Sequence, residues 1–501
     1  MTVNGRQPYH IYNSLHRKKE EFKPLNPPHV GLYVCGPTVY GDPHLGHARS
    51  AITFDVVWRY LDFLGYKVRY VRNITDVGHL EDEISDQGED KIAKKARLEQ
   101  LEPMEIAQRY TNIYHRDMEA LNCRRPGIEP TATGHVLDQI SLIEKILANG
   151  FAYEVNGSVY FDLDAYTKSH SYGELSGKVL DELQSGSRDT EGLDEKRNPH
   201  DFALWKKGSA EHIMKWPSPW SIGYPGWHIE CTAMSTKYLG EQFDIHGGGL
   251  DLQFPHHEAE IAQCRAAHNN DPARYWMHNN MVTIDGAKMS KSAGNFITLE
   301  QLFSGDHKLL EKAYSPMVTR FLMLQSHYRS KIDFSNDALL AAEKGYQRLM
   351  NAMSLLDKIK LQSEDACSDD EELVQLCEQC HNTMNDDLNT AQALAALFEL
   401  SAKVNGLYNG QIDASKVSGK VFETVKTTMK AFVYDVFGLE EQKSDDSGKT
   451  SELIELFIAL RKHARENKDF TTSDKIRDDL AAMGIHLKDE KGGTTSYEIR
   501  D

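Results

Sequence analysis

The hydrophobic and polar positions of this chain change period several times. Residues 30–35 (VGLYVC) form a short apolar, β-prone run of the kind that becomes a buried strand, and Gly36-Pro37 ends it. After the polar loop TVYGDPHLGH, residues 47–64 place Ile52, Val56, Val57, Tyr60, Leu61 and Leu64 at helical spacing, and Gly65 stops the helix. Residues 66–71 (YKVRYV) predict a second strand. Strand, helix and strand in one short stretch make a βαβ unit, which implies a parallel, doubly wound sheet. Ligands of such sheets sit at the carboxyl ends of the strands, where Cys35 and the HLGH segment fall.

Residues 118–225 look like an insertion between two sheet halves, with a strand-like run at 158–163 and the polar loop SGSRDTEGLDEKRNP after it. From Gly226 the pattern tightens into a helix through WHIECTAMSTKYLG, a strand at 242–246, a glycine loop and a helix from His256. Lys288-Met289-Ser290-Lys291-Ser292 follows in a polar loop. Beyond residue 340 the stretches ALLAAEKGYQRLMNAMSLLDKI and TAQALAALFELSAKVNGLY are amphipathic, as in a helical bundle. EQKSDDSGKT (441–450) is a polar linker, and residues 451–501 predict two helices, a Gly-Gly-Thr-Thr turn and a strand. The expected fold class is α/β: a doubly wound, Rossmann-like domain over residues 1–305 with the insertion, then a segment at 306–340, an all-α bundle at 341–440, and a small α+β module at the end.

A chain of 501 residues exceeds the roughly 250–300 that one core supports, so several domains are expected. Its hydrophobic content of 40% and charged content of 26% are ordinary for a soluble protein. No apolar run approaches the roughly 20 residues of a membrane helix, and the first residues carry no apolar signal core. A cytoplasmic location without membrane contact is therefore expected, where cysteines bind metal or stay free. The formal charge of −18 argues weakly against a nucleic-acid partner, because local basic faces can act independently. Two basic clusters stand out, at 91–97 (KIAKKAR) and 461–465 (RKHAR). On charge alone each is better read as a solvated helix face.

Three motifs carry chemistry. His44 and His47 fall at the start of the first helix, where free N–H groups and the helix dipole favour anions. Their ring N–H groups can donate to phosphate oxygens, and Gly46 lets a nucleotide approach the backbone. Lys288 and Lys291 lie in a serine-containing loop that can close over a triphosphate and neutralise charge on leaving pyrophosphate. The third motif is a donor set. His256 and Glu260 are i, i+4 on one helix and face the same way. Cys35 at a strand end and Cys231 at a helix start can converge on them. Two thiolates, an imidazole and a carboxylate suit zinc. His257 and Glu258 are expected to point to other faces. Cys264, one turn beyond Glu260, is not excluded by periodicity. Cys377-Glu378-Gln379-Cys380-His381 matches a haem-attachment string, but it sits in the amphipathic helix ELVQLCEQCHNTMND and is read as bundle.

The order and spacing of these segments resemble a class I aminoacyl-tRNA synthetase, and more narrowly the cysteinyl-tRNA synthetases. The matching stretches are LYVCGPTVYGDPHLGHARS, NITD, DFALWK, PGWHIECTAM, FDIHGGGLDLQFPHHEAEIAQ, KMSKSAGNF and DDLNT, and the resemblance spans nearly the whole chain. It implies cysteine activation by ATP with Mg²⁺, then transfer to the 3′ ribose of tRNA(Cys). It implies one Zn²⁺ per chain, held by Cys35, Cys231, His256 and Glu260 and gripping the substrate thiolate so that serine is rejected. His44, His47, Lys288 and Lys291 would be the catalytic groups; Thr38 and Asp251 would join them around ATP. Gly36, Thr75 and Trp227 would line the cysteine pocket. Residues 306–340 would contact the tRNA stem, and the bundle and last module would carry tRNA, with Arg461, Lys462, Arg465, Lys468 and Arg477 as candidate anticodon-side contacts. Two departures stand out: Ser496-Tyr497 replaces the tryptophan expected after Gly-Thr-Thr, and the acidic segment GHLEDEISDQGED (78–90) is longer than usual. A related ATP-dependent cysteine ligase of thiol biosynthesis and a non-catalytic RNA-binding protein are the rival readings, and a monomer is expected.

Overall fold

In the computed structural model, four parallel strands carry the site-bearing half of the protein, in the order Ala273–Asn279, Phe243–Gly249, His29–Val34 and Lys67–Arg72. The structure describes residues 8–78, 80–82, 87–178, 195–209, 212–290, 294–361, 367–441, 447–489 and 495–499. From His29–Val34 the chain runs through the helix Leu45–Phe63 to the strand on one side, and later returns to lay Phe243–Gly249 on the other. The strand order therefore reverses between these two central strands, which opens a crevice at their carboxyl ends. Cys35 sits at that point, its N–H donating to the Gly247 carbonyl at 3.1 Å.

The glycines 247–249 are strand, not the loop their composition suggested. A Cβ on Gly247 would overlap the Phe54 ring of the first helix, and one on Gly248 would press on the His257 ring. Successive strand residues face opposite sides, so the glycines let helices press on both faces of this strand. The helix Leu45–Phe63, hereafter the signature helix, is buried along most of its length. Its Arg49 donates to the carbonyls of Met323 (2.7 Å) and His327 (2.8 Å). Its buried Asp55 pairs with Arg59 (2.7 Å) and with fully buried Arg320. These bonds fasten the signature helix to the segment that leads into the bundle.

Between the sheet halves lie the helices Lys91–Glu99, Pro103–Ala120 and Val136–Ala148 and a five-stranded antiparallel sheet built within residues 152–225. Within the acidic 78–90 segment, Asp90 accepts from Gly78 (2.7 Å) and caps the helix Lys91–Glu99 through Ile92 and Ala93. The strand Val282–Ile284 pairs with the two-residue strand Ala287–Lys288 and, in parallel, with Ile332–Phe334.

The helices Asn336–Leu355, Asp370–Asn385, Thr390–Tyr408 and Gly419–Lys430 form the bundle, which ends in a π-helical turn at Ala431–Val436. Cys377 and Cys380 are buried within it, and His381 stacks on Phe63. The cysteines and histidine of the haem-like string are thus core, while Glu378 and Gln379 are exposed. Asp387, fully buried with a left-handed backbone (φ 64°), accepts from Tyr12 N (2.8 Å), Tyr328 Oη (2.7 Å) and Arg329 Nε (2.8 Å).

The chain divides into two compact units, Met1–Glu440 and Glu441–Asp501. In the second, helix Ser447–Glu466 begins inside the stretch expected to be linker, because Ser-Gly-Lys-Thr continues into the helical pattern after it. Helix Phe470–Ala482 follows, then an antiparallel pair of strands, Ile485–Asp489 and Thr495–Ile499, where one strand was expected. Among the described residues, no helix is long and apolar enough to cross a membrane.

Candidate active site

The strand-end crevice opens into a cavity of about 620 Å³. On one wall the signature helix begins. Its first turn is closed by two imidazoles: His44 Nδ1 accepts from Gly46 N (3.0 Å), and His47 Nδ1 accepts from His44 N (3.2 Å). A neutral ring accepting at Nδ1 carries its proton on Nε2, so both rings keep an Nε2–H donor for the cavity they line. Burial pushes the His47 pKa down from 6.5 to about 4, so this ring is neutral near pH 7. The segment after the lysine loop is tied to the same wall: Leu299 N donates to Pro43 O at 2.9 Å, and the Phe296 ring lies 5.1 Å from the His44 ring. Thr38, Asp251 and Lys288 also line the cavity, Lys288 on its exposed two-residue strand. Lys291 lies outside the described residues.

The opposite wall is sulfur and imidazole. Cys35 Sγ stands 3.7 Å from Cys231 Sγ and 3.6 Å from Glu260 Oε1. His256 Nε2 is 3.3 Å from Cys231 Sγ and 3.3 Å from Glu260 Oε1. The four donor atoms all lie within 4.8 Å of one another. Ligands about 2.0–2.3 Å from a tetrahedral zinc stand about 3.3–3.8 Å apart, so these spacings fit one such ion. The charges fit as well. Burial raises the Cys35 thiol well above its ordinary value and pushes Cys231 to about 12. It also raises Glu230, whose carboxylate accepts from Thr75 Oγ1. A buried group of acids beside two thiols is costly to ionise without a cation, and a bound metal reverses that.

The cluster has a second layer that the sequence reading missed. His257 was expected to point away, yet its Nε2 lies 3.3 Å from Cys35 Sγ. Cys35 Sγ also lies within 4.8 Å of the His256 donor atom, so it has both neighbouring histidines within reach. With His246 and Glu260, Cys35 and His257 form an overlapping set within 4.8 Å. His246 Nε2 is 2.9 Å from Glu260 Oε2, and His257 Nδ1 is 2.9 Å from His278 Nε2. His228 Nδ1 is 3.0 Å from His256 Nδ1. Cys35, Cys231 and His256 line the cavity, whereas His246 and His257 do not. Three donors of the first set therefore line the cavity, against Cys35 alone of the second. Cys264 turns away, toward the Glu241 carbonyl at 3.6 Å. The density of histidine in WHIEC and PHHEAE was the available signal for this layer.

Gly36, Thr75 and Trp227 line the cavity beside the donors. The Trp227 ring lies 4.7 Å from the His256 ring. Gly36 donates to Asn73 Oδ1 at 2.8 Å, and a Cβ there would overlap the Asn73 carbonyl. In the second unit Lys462, Arg465, Lys468 and Arg477 are exposed, but Arg461 is buried at 3% exposure and is no surface cation. Its place beside Ala464 on the inner side of the helix Ser447–Glu466 accounts for that.

Residues 21–344 match the family described as tRNA synthetases class I (C) catalytic domain, and residues 380–441 match the DALR domain. A cysteine–tRNA ligase from Porphyromonas gingivalis is 56% identical over 97% of this chain and 98% of its own length. One from Bacteroides thetaiotaomicron is 57% identical over 96% and 97%. The chain belongs to the cysteine–tRNA ligase family. Methionyl-tRNA synthetase of Mycobacterium tuberculosis bound by methionyl-adenylate shares the fold, with a TM-score of 0.57 at 15% identity over 89% of this chain and 96% of that one. Thermus thermophilus arginyl-tRNA synthetase does so at TM-score 0.52 and 15% identity, over 86% and 84%. The expected Rossmann-like sheet and helical region are therefore those of class I synthetases. The sulfur donors Cys35 and Cys231 and the signature-helix imidazoles His44 and His47 line one cavity.

Proposed function

We propose that the protein joins L-cysteine to tRNA(Cys) in two steps. The cysteine carboxylate attacks the α-phosphorus of ATP; an O–P bond forms, the bond to the β-phosphate oxygen breaks, and pyrophosphate leaves with its Mg²⁺. A ribose hydroxyl at the 3′ end of the tRNA then displaces AMP. The observation that carries this reading is the single cavity with phosphate donors on one wall and soft metal ligands on the other.

Neither step needs a protein nucleophile, so placement and charge stabilisation supply the rate. His44 and His47 donate from Nε2 to phosphate oxygens at the helix N-terminus, Lys288 and Lys291 neutralise the leaving pyrophosphate, and Thr38 and Asp251 hold the nucleoside end. Cys35, Cys231, His256 and Glu260 would hold one Zn²⁺. When bound, zinc favours the thiolate form of a mercapto ligand over the hard, far less acidic hydroxyl of serine. Gly36 leaves room for the amino acid close to the backbone, and Trp227 closes the pocket over His256. The second unit would meet the anticodon side of tRNA through Lys462, Arg465, Lys468 and Arg477. A monomer acting in the cytoplasm completes the reading.

Cysteine-dependent ATP–pyrophosphate exchange, repeated with serine and then followed by charging of purified tRNA, tests it. Exchange with cysteine alone and charging of tRNA(Cys) are expected. Equal exchange with serine would overturn the metal-selection part, and exchange without charging would point to an ATP-dependent cysteine ligase.

A further inference from the structure

Asp387 lies between the bundle helices Asp370–Asn385 and Thr390–Tyr408, yet its bonds lead out of the bundle. The donors that reach its carboxylate are Tyr12 N, Tyr328 Oη and Arg329 Nε, and His327 Nε2 lies 3.5 Å from it. Its main chain faces the same way. Asp387 N donates to the His10 carbonyl at 3.0 Å, and Asp387 O meets His327 Nε2 at 2.9 Å. Asp387 and Leu388 are successive left-handed residues, φ 64° and 55°, and neither is glycine. Backbone of this kind persists where its surroundings over-determine it. Here those surroundings are the first strand, His10–Asn13, and the loop 325–331.

That loop hands the constraint on to the catalytic cavity. The Tyr328 carbonyl accepts from Asn280 N (2.8 Å) and the Arg329 carbonyl from Asn280 Nδ2 (2.9 Å). Asn280 Oδ1 in turn accepts from Met281 N at 2.9 Å. Asn280, Met281 and Val282 line the cavity, and the strand Val282–Ile284 pairs with the strand that carries Lys288. Arg49, two residues beyond His47 on the signature helix, grips the same loop at the His327 carbonyl. The zinc donors take their support elsewhere, His256 from His228 and Glu260 from His246. We propose that Asp387 is a positioning residue for adenylate formation. From the bundle it fixes residues 327–329, through them Asn280–Val282, and so the stretch of cavity wall that presents Lys288 to the nucleotide. The inference deepens the functional reading above and rests on it.

The test is pyrophosphate exchange by the full chain, expressed per active site after titration of the sites by single-turnover adenylate formation. In Asp387→Asn the KM for ATP is expected to rise about fivefold and the per-site kcat to fall about tenfold, because a displaced wall misplaces the reacting groups. The KM for cysteine and the zinc content are expected to stay within about twofold of wild type. A merely structural role would lower the number of active sites and leave the KM for ATP alone. Arg329→Met removes one link at a half-buried side chain and carries the same test if Asp387→Asn does not fold. It is expected to raise the KM for ATP about threefold, and Arg329→Lys to restore it. Because Asp387 acts through Asn280, Asp387→Asn/Asn280→Ala is expected within about twofold of Asn280→Ala alone. Unchanged per-site constants, an equal rise in both KM values, or losses that multiply in the double variant would overturn the proposal. Wild-type protein without cysteine-dependent exchange would instead fail the functional reading itself.

Discussion

On one wall of the cavity Cys231, His256 and Glu260 are each 1% exposed, and each is met by a second polar side chain. On the other wall His44 and His47 are fixed by the helix cap, but Lys288 stands exposed on a two-residue strand. The sulfur wall is complete before any ligand arrives. On the wall proposed to hold phosphate the two imidazoles are fixed, while Lys288 keeps its reach. Selecting a thiol needs donor atoms held within a few tenths of an ångström, whereas a lysine that follows charge onto a leaving group gains from reach. The proposed division of labour accounts for the difference in burial between the walls.

The comparison breaks most sharply at the sulfur wall. Cys231→Ser removes one of the two soft donors, and the expected result is loss of bound zinc, read by elemental analysis, with cysteine-dependent exchange down at least about 100-fold. Variant protein that kept both metal and rate would end the distinction between the walls. On the phosphate wall, His47→Asn is expected to cost about 100-fold in exchange kcat while metal content stays at one per chain. Loss of metal in that variant would mean the walls are not independent. A smaller effect is expected one layer back. His256 Nδ1 lies 3.0 Å from His228 Nδ1, and with its Nε2 ligating zinc it would carry the proton and donate to His228. His228→Gln should weaken zinc about tenfold in competition with a chelator; unaltered affinity would make that contact incidental.

Both walls were partly legible in the chain. The central strand at His29–Val34 and the signature helix follow from apolar spacing, which burial on both sheet faces enforces. His256 and Glu260 declared themselves by helical spacing. What escaped is where tertiary contacts set the outcome. Gly247 and Gly248 have loop composition yet form strand, because only a side chain without Cβ admits Phe54 and His257. His257 was assigned to another helix face, a sound rule for one helix, but packing against the strand end brings its Nε2 to 3.3 Å from Cys35 Sγ. Arg461 looked like one cation in a basic run, but with Ala464 it lies on the buried face of its helix. Asp387 could be seen only as part of DDLNT; its left-handed backbone and three donors come from segments far away in sequence.

The least of the expected effects concerns acid and sharpens the account of the phosphate wall. His47 titrates at about 4 in the folded protein because burial disfavours its cation, against 6.5 for an ordinary histidine. Between those values the unfolded chain takes up a proton there that the folded protein refuses. Stability tied to this ring is therefore complete above pH 6.5 and declines as pH falls toward 4, by at most about 1.4 kcal/mol per pH unit. His47→Asn has no such proton to gain. On going from pH 7.5 to 5.5, wild type should lose about 1 kcal/mol more stability than the variant, measured by denaturant unfolding at the two pH values. Equal losses would mean that His47 is charged in the fold, and that the ring meets phosphate as a cation instead of as a neutral Nε2–H donor.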